Sequence, residues 1–317
     1  MIVLVPEHVH AELSPSVSAL PVTLIPYSEE GPPPERADEA VAVFRWVAGK
    51  RYESLVVDAP PVRWLHTASA GVDHVLTRRL RQRGGFTLTD SGPAFGICIG
   101  EYVLTWMLAV SHRVPELLAS QTRREWAQKL THEELSGQTV GILGLGPIGQ
   151  AIAQRCRALG MTVLAFRRSD RPAENVTTIF TGPEGLKTLL TVSDWVVVAT
   201  ALTGETRSLL GAAEFAAMKP SARLVNVARG PVIDEQALIA ALREGRIAGA
   251  VLDVFTQEPL PEESPLWDLP NAYLTPHNSP GWTVGLRRRQ LELFMGNLRR
   301  FVAGEPLEGV VDIERGY

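Results

Sequence analysis

The stretch Thr139–Ala153, TVGILGLGPIGQAIA, constrains the fold of this chain more than any other. It opens with an apolar run, Val140–Leu143, that is typical of a strand buried in a parallel sheet. Three glycines with the spacing G-x-G-x-x-G come next: Gly144, Gly146 and Gly149. Such glycines permit a tight turn, close approach to a pyrophosphate and packing of the following helix, here Gln150–Leu159. The motif predicts a dinucleotide site, and an ordinary glycine-rich strand–helix turn is the alternative.

The composition bounds the class of protein. A chain of 317 residues with 45% hydrophobic and 21% charged residues fits a globular protein with two cores. The net charge of −4 gives no footprint for nucleic acid or an anionic membrane, and no apolar run is expected to span a membrane. Cys98 and Cys156 lie far apart without histidine partners, so we expect no metal site and a reducing, cytoplasmic location.

Short apolar runs separated by turn signals predict an α/β unit at the start of the chain. We expect its strands at Met1–Val5, Val22–Ile25, Ala40–Trp46, Trp64–Thr67 and Thr87–Thr89. The sequence Ser91–Gly92–Pro93 indicates a turn. After it, the apolar segment Gly100–Arg113 and the polar segment Pro115–Ser136 are both predicted to be helical.

The strand–helix pattern is repeated after Thr139. Six strands are predicted, at Val140–Leu143, Val163–Phe166, Trp195–Val198, Arg223–Asn226, Ala250–Val254 and Ala272–Thr275. This pattern favours a doubly wound parallel sheet of the Rossmann type. A last helix, Val284–Phe301, leads to a tail that should return to the first unit. The dinucleotide domain (99–280) is therefore predicted to be inserted into a smaller flavodoxin-like α/β domain (1–98 and 281–317), with the cleft between them as the default site.

The residues after the second strand of the dinucleotide domain indicate which coenzyme binds. An acidic residue usually receives the ribose 2′-hydroxyl at this place. Here the strand ends at Phe166 and is followed by Arg167, Arg168 and Ser169, and Asp170 comes only later. Because arginine pairs well with phosphate, the sequence favours NADP(H) over NAD(H). The alternative is that both arginines point to solvent and the coenzymes are used equally.

Polar residues follow three later strands of the same domain. Arg229 follows one strand, Asp253 and Glu258 follow the next, and His277 follows the last. Open α/β sheets bind ligands at the carboxyl ends of their strands. Taken singly, each residue also fits a surface salt bridge or polar lining.

Taken together, these motifs resemble those of the D-isomer-specific 2-hydroxyacid dehydrogenase family. The resemblance rests on Ser69–Asp73 (SAGVD), 141–149 (GILGLGPIG), Leu202–Thr206 (LTGET), 225–230 (VNVARG), 252–261 (LDVF…EPLP) and 275–277 (TPH). It covers essentially the whole chain. Within the family the chain is most similar to the glyoxylate/hydroxypyruvate reductases, on the weaker basis of Arg167–Ser169 and Phe44–Trp46.

The resemblance implies a catalytic triad of Arg229, Glu258 and His277. Arginine would grip the substrate carboxylate and carbonyl, histidine would act as general acid, and the carboxylate would orient the imidazole. Coenzyme contacts are implied for Gly144, Gly146, Pro147, Ile148, Gly149, Arg167, Arg168, Ser169, Ala201, Leu202, Thr206, Val227, Ala228 and Asp253. Substrate contacts are implied for Trp46, Ala70, Gly71, Val72, Arg229 and His277.

The activity implied is NADPH-dependent reduction of a small 2-keto acid to the D-2-hydroxy acid. The alternatives are a dehydrogenase for another 2-keto acid and a nucleotide-sensing, corepressor-like binding protein. The family also implies a homodimer, for which Gly100–Ser136 is the candidate interface, although its apolar surface could equally be core. Trp46 and Trp282 could restrict the pocket or pack between domains. The segment Ile97–Glu101 and the pair Thr200–Ala201 depart from the family pattern, which bears on the hinge and the coenzyme lining.

Overall fold

The computed structural model describes residues 1–46 and 49–317, which form twelve strands and ten α-helices. The strands are β1 (Ile2–Pro6), β2 (Thr23–Tyr27), β3 (Ala40–Arg45), β4 (Trp64–Thr67), β5 (Thr87–Asp90), β6 (Thr139–Leu143), β7 (Thr162–Phe166), β8 (Thr178–Phe180), β9 (Trp195–Val198), β10 (Arg223–Asn226), β11 (Gly249–Leu252) and β12 (Ala272–Leu274). The helices are α1 (Glu7–Leu13), α2 (Arg51–Val57), α3 (Arg78–Arg83), α4 (Gly92–Ser111), α5 (Val114–Thr122), α6 (Pro147–Ala158), α7 (Gly182–Val192), α8 (Ala212–Ala217), α9 (Glu235–Arg243) and α10 (Val284–Ala303).

The chain divides into two compact units. The first unit contains Met1–Phe95 and Trp282–Tyr317, and the second contains Gly96–Gly281. The chain leaves the first unit within α4 and re-enters it just before α10. The boundaries predicted from the sequence lie between 98 and 99 and between 280 and 281.

The first unit is built on a five-stranded parallel sheet in the order β2-β1-β3-β4-β5. This is the flavodoxin-like order. One buried cluster includes Leu4, Val43 and Leu65, and a second includes Val3, Phe44 and Trp64. Successive residues of a strand point to opposite faces, so the two clusters cover both faces of the sheet.

The second unit is built on a seven-stranded parallel sheet in the order β12-β11-β10-β9-β6-β7-β8. The strand order reverses where β6 lies beside β9, and a ligand crevice in a doubly wound sheet opens at such a switch point. The α/β class, with a Rossmann-type and a flavodoxin-like part, is thereby confirmed.

The prediction of six strands in the second unit was wrong by one. The additional strand, β8, pairs with β7 at the edge of the sheet. It is only three residues long and none of its residues is buried, so it lacks the apolar run that marks the inner strands.

The prediction for the segment between the two sheets also needs correction. Helix α4 begins at Gly92, inside the predicted turn, and contains Pro93 in its first turn, where proline costs no hydrogen bond. The polar segment Pro115–Ser136 is not one helix, because α5 ends at Thr122 and Arg124 adopts a left-handed backbone (φ 58°). The polar residues after Thr122 offer no continuous apolar stripe that a helix could bury.

Helix α4 is long and apolar enough to cross a membrane by length and composition, with a mean hydropathy of 1.5. The sequence analysis had expected no such segment. Half of the helix is buried within the protein, as in the core helices of many globular domains.

Candidate active site

The glycine loop after β6 has the shape that a dinucleotide cradle requires. Gly144 has a φ of 95°, and a Cβ there would lie 2.7 Å from Thr200 Cα. A Cβ at Gly149 would lie 2.1 Å from the Gly144 carbonyl oxygen, so α6 packs directly on the loop. At Gly146, by contrast, a Cβ would meet nothing within 4 Å. Gly146 is the N-cap of α6, so this open space lies at the N-terminus of a helix. A helix N-terminus favours the binding of phosphate, and the loop therefore fits a pyrophosphate group.

The two arginines predicted to select the coenzyme lie in the loop after β7. The Arg167 guanidinium donates to the carbonyl oxygens of Ser169, at 2.9 Å, and of Arg171. Arg168 forms an ion pair of 3.5 Å with Glu205, whose side chain is 75% exposed. An exposed pair of this length contributes little stability.

The loop after β9 contains the other coenzyme contacts implied at Ala201, Leu202 and Thr206. The Thr206 hydroxyl donates to the Ala201 carbonyl oxygen (2.6 Å) and accepts from the Thr203 N–H (2.8 Å). These bonds fix the loop beside the glycine turn, since Gly144 touches Thr200. Val227 and Ala228 are buried at the end of β10, and the Ala228 N–H donates to Asn226 Oδ1 (3.0 Å).

The structure joins His277 and Glu258 directly. His277 Nδ1 and Glu258 Oε2 lie 2.7 Å apart, and Glu258 Oε1 accepts from the Phe255 N–H at 2.9 Å. Both side chains are partly exposed, the imidazole by 43%. A carboxylate that accepts at Nδ1 fixes the Nδ1–H form of the ring, so Nε2 is the other nitrogen that can exchange a proton.

Arg229 follows β10, which lies beside β11, and β11 lies beside β12. Arg229, Glu258 and His277 therefore follow three neighbouring strands at one edge of the sheet. A Cβ at Gly230 would lie 1.9 Å from the Phe255 carbonyl carbon, so the arginine loop packs against the segment that leads to Glu258. The guanidinium is half-buried, and its Nη1 donates to the Ala228 carbonyl oxygen (2.8 Å).

Asp253 is fully buried and organises the turn that carries His277. Its carboxylate accepts from the Thr275 hydroxyl (2.6 Å) and from the N–H groups of Asn278 and Ser279 (2.9 Å each). Its carbonyl oxygen accepts from the His277 N–H (2.8 Å). His277 itself has a left-handed backbone, with φ 49°. The contact of Asp253 with a nicotinamide carboxamide stays a prediction, whereas its hold on this turn is a finding.

The residues implied in substrate binding by the first unit lie after β3 and β4. Gly71 (φ 79°) accepts the Ser69 hydroxyl at its carbonyl oxygen (3.2 Å), and Val72 is buried. Burial raises the pKa of Asp90. The N–H groups of Gly92 and Gly71 donate to its carboxylate and partly offset this rise. The substrate contacts of Ala70, Gly71 and Val72 stay predictions.

Trp46 packs within the first unit. Its ring meets His8 and Phe44 edge-on, with centroids 5.6 and 5.7 Å away, and the Arg287 guanidinium lies 4.9 Å from its centroid. These contacts favour a packing role for Trp46, and its substrate contact stays a prediction. Trp282 is 71% exposed.

Thr275, Asn226 and Tyr102 are not among the predicted site residues, although Thr275 bonds to Asp253, Asn226 to Ala228 and Tyr102 to Thr275. Thr275 was available as a signal, because it opens the TPH motif. Tyr102 carried no signal, because its contact with Thr275 joins residues 173 positions apart.

Comparisons with known proteins show the family to which the chain belongs. Residues 104–279 match the family described as "D-isomer specific 2-hydroxyacid dehydrogenase, NAD binding domain". The chain is 37% identical over 277 residues to a glyoxylate reductase of Thermococcus gammatolerans, which covers 84% of this chain and 81% of that protein.

Two solved structures are similar along the whole chain. One is a D-isomer specific 2-hydroxyacid dehydrogenase of Xanthobacter autotrophicus in complex with NADPH and MES, with a TM-score of 0.84, 32% identity and coverage of 100% and 99%. The other is an NADPH-dependent glyoxylate/hydroxypyruvate reductase of Sinorhizobium meliloti in complex with NADP and sulfate, with a TM-score of 0.83, 29% identity and the same coverage. The chain therefore belongs to the D-isomer specific 2-hydroxyacid dehydrogenase family of oxidoreductases.

Proposed function

We propose that this chain reduces a small 2-keto acid, such as glyoxylate or hydroxypyruvate, to the D-2-hydroxy acid, with NADPH as the preferred coenzyme. The observation that carries the proposal is the 2.7 Å contact between His277 Nδ1 and Glu258 Oε2 at the edge of a dinucleotide-binding sheet. The relatives named glyoxylate reductase and glyoxylate/hydroxypyruvate reductase support this substrate class.

His277 is proposed as the general acid. Since Nδ1 is held by Glu258, the proton passes from Nε2 to the carbonyl oxygen of the substrate. The bound nicotinamide supplies the hydride that the carbonyl carbon receives. Glu258 orients the ring through Nδ1, and the Phe255 N–H keeps the carboxylate from rotating away.

Arg229 is proposed to hold the substrate. A guanidinium is permanently charged and presents a planar fork of donors that matches a carboxylate and its neighbouring carbonyl. The bond from its Nη1 to the Ala228 carbonyl oxygen fixes one arm of the fork. Polarisation of the carbonyl by the same cation would favour attack at the carbon.

The coenzyme is proposed to lie along the glycine loop, with its pyrophosphate at the N-terminus of α6. Open space at Gly146 supports this placement. Arg167 and Arg168 are proposed to receive the 2′-phosphate, because they stand at the end of β7 where a carboxylate would select NAD(H). Two structural relatives bind NADPH or NADP, which supports the same preference.

The assembly is proposed to be a homodimer formed by the second unit. Its surface exposes apolar side chains on and after α4, namely Ile97, Leu108, Val114, Leu117, Leu118 and Trp126. Trp126 is 91% exposed, and a large exposed apolar patch usually marks an interaction site. A cytoplasmic location, expected from the use of cysteine, stays a prediction.

The proposal is tested by following NADPH absorbance with glyoxylate, hydroxypyruvate and pyruvate, with NADH in parallel and chiral analysis of the product. We expect turnover with glyoxylate and hydroxypyruvate, D-configuration of any chiral product, and higher kcat/KM with NADPH than with NADH. Oxidation of the coenzyme with none of the keto acids, despite tight NADPH binding, would support the corepressor-like binding protein instead. Turnover confined to pyruvate would reassign the substrate.

A further inference from the structure

Tyr102, on α4, reaches the catalytic turn from outside it. Its hydroxyl forms a short hydrogen bond with Thr275 Oγ1, and the Thr275 hydroxyl donates to Asp253 Oδ1 at 2.6 Å. The Trp106 ring lies beside the Tyr102 ring, with centroids 6.5 Å apart, and it also packs on Tyr273 of β12, with centroids 5.7 Å apart. Helix α4 is thus tied to the last strand of the sheet by three aromatic rings.

The direction of these hydrogen bonds follows from the number of protons available. Thr275 has one hydroxyl proton, and it is donated to Asp253, which as a carboxylate can only accept. Tyr102 must therefore donate its own proton to Thr275 Oγ1. The bonds form one directed chain, in which each member polarises the next.

This series of hydrogen bonds ends at Asp253, which holds the turn that carries the proposed general acid. Asp253 Oδ1 also accepts from the Asn278 N–H, and the Asp253 carbonyl oxygen accepts from the His277 N–H. Any rotation of the Thr275 hydroxyl would remove one of the donors that fix Asp253 in a fully buried position. The orientation of the His277 turn therefore depends on Tyr102, the other hydrogen-bond partner of the Thr275 hydroxyl.

We propose that Tyr102 is a positioning residue for His277, acting from helix α4 through Thr275 and Asp253. The proposal rests on the proposed function for its kinetic consequence, because it assumes that His277 is the general acid. Burial also raises the pKa of Tyr102, so its hydroxyl stays protonated and remains a donor at every pH at which the enzyme would work. The exposed apolar residues Ile97 and Leu108 lie on the same helix.

The test is the substitution Tyr102→Phe, which removes one hydroxyl and keeps the ring. We expect kcat to fall about five-fold, with the KM for NADPH unchanged, since the loss of one neutral hydrogen bond has roughly this weight. The matched control is Tyr273→Phe, which removes a hydroxyl from the neighbouring ring of the same aromatic cluster and should leave kcat within two-fold, about the resolution of the assay.

A double-mutant cycle separates positioning from a general structural effect. If Tyr102 acts through Thr275, then Tyr102→Phe should lower kcat no further in a Thr275→Val background. Additive losses, an equal loss in Tyr273→Phe, or no loss in Tyr102→Phe would each overturn the proposal.

A spectroscopic measurement keeps this test independent of turnover. The imidazole resonances of His277, assigned by their absence in His277→Gln, should shift in Tyr102→Phe and stay in place in Tyr273→Phe. If the His277 resonances shift in Tyr102→Phe but the parent turns over no keto acid, the positioning role of Tyr102 is supported and the proposed function is overturned. Unshifted His277 resonances in Tyr102→Phe would overturn the positioning, whatever the activity.

Discussion

Glu258 holds His277 by one oxygen and is itself held by the other. The Oε2 atom lies 2.7 Å from Nδ1 of the imidazole, and the Oε1 atom accepts from the Phe255 N–H at 2.9 Å. The carboxylate is therefore oriented by backbone before it orients the ring. Such a fixed pair is what a general acid needs, because the proton must leave from Nε2 in one defined direction.

Replacing His277 by alanine should lower kcat for glyoxylate reduction by about 10²–10⁴, the usual scale for a lost general acid. The ring lies at the surface of the turn and is 43% exposed, so the fold should tolerate the change. NADPH binding measured by fluorescence provides the control and should be nearly unaltered. Turnover close to that of the parent would remove His277 from the proposed role.

Replacing Arg229 by alanine should raise KM for the keto acid and lower kcat together, because the guanidinium is proposed to bind both the ground state and the polarised carbonyl. Arg229→Lys keeps the charge but loses the fork, so we expect it to recover only part of kcat/KM. Steady-state kinetics over a range of keto acid concentrations measures both. An effect confined to the KM for NADPH would contradict the substrate contact.

The limits of strands were predicted most accurately from the sequence where the local apolar pattern and the burial of the segment agree. The limits of β9 and β10, Trp195–Val198 and Arg223–Asn226, match the prediction because each is an apolar run with a clear end in a parallel sheet. Arg229, Glu258 and His277 were expected at one edge because parallel strands share that edge. The pairing of Glu258 with His277 was implied only by the family resemblance, and the structure shows it as a 2.7 Å contact.

Other features depend on contacts that a local pattern does not encode. The end of α5 at Thr122 is set by a left-handed residue, Arg124, that nothing in the sequence marks as one. The series of hydrogen bonds from Tyr102 through Thr275 to Asp253 requires that α4 pack on β12, which is a tertiary contact. Local propensity gives no access to such pairings.

Replacing both Arg167 and Arg168 by alanine should reduce the preference for NADPH. We expect kcat/KM with NADPH to fall by about ten-fold or more, since two charge-assisted contacts to a phosphate would be lost, while kcat/KM with NADH changes little. Arg171→Ala is the matched control, because it removes an exposed arginine from the same loop and leaves the carbonyl that Arg167 binds. An equal loss with both coenzymes would remove the arginines from phosphate recognition.

Replacing Trp126 or Leu118 by glutamate should dissociate the proposed dimer. A charge in the centre of an apolar contact is strongly unfavourable when buried and harmless when exposed. Light scattering should give twice the 34.6 kDa of one chain for the parent and one chain for the variants. Trp267→Glu, at a residue 56% exposed elsewhere on the second unit, is the control and should leave the mass unchanged. A monomeric parent would contradict the proposed assembly.

The buried side chain of His66 should make the stability of the first unit depend on pH. The imidazole is fully buried, with Nδ1 2.7 Å from Thr89 Oγ1 and Nε2 3.1 Å from Ser91 Oγ, and burial lowers its pKa to about 3. In the unfolded chain a histidine titrates near pH ~6.5, so between these values the unfolded state binds a proton that the folded state does not. The free energy of unfolding should therefore fall as the pH is lowered through this window, by up to ~1.4 kcal/mol per pH unit.

The measurement is the free energy of unfolding in urea, taken from about pH 7 to about pH 4 for the parent, His66→Gln and His74→Gln. Glutamine at position 66 does not titrate and can still reach Thr89 or Ser91, so the pH slope should be smaller by about one proton even if the variant is less stable. His74 is exposed in the folded chain, and its replacement should leave the slope of the parent. A parent slope that persists in His66→Gln would show that another group takes up the proton.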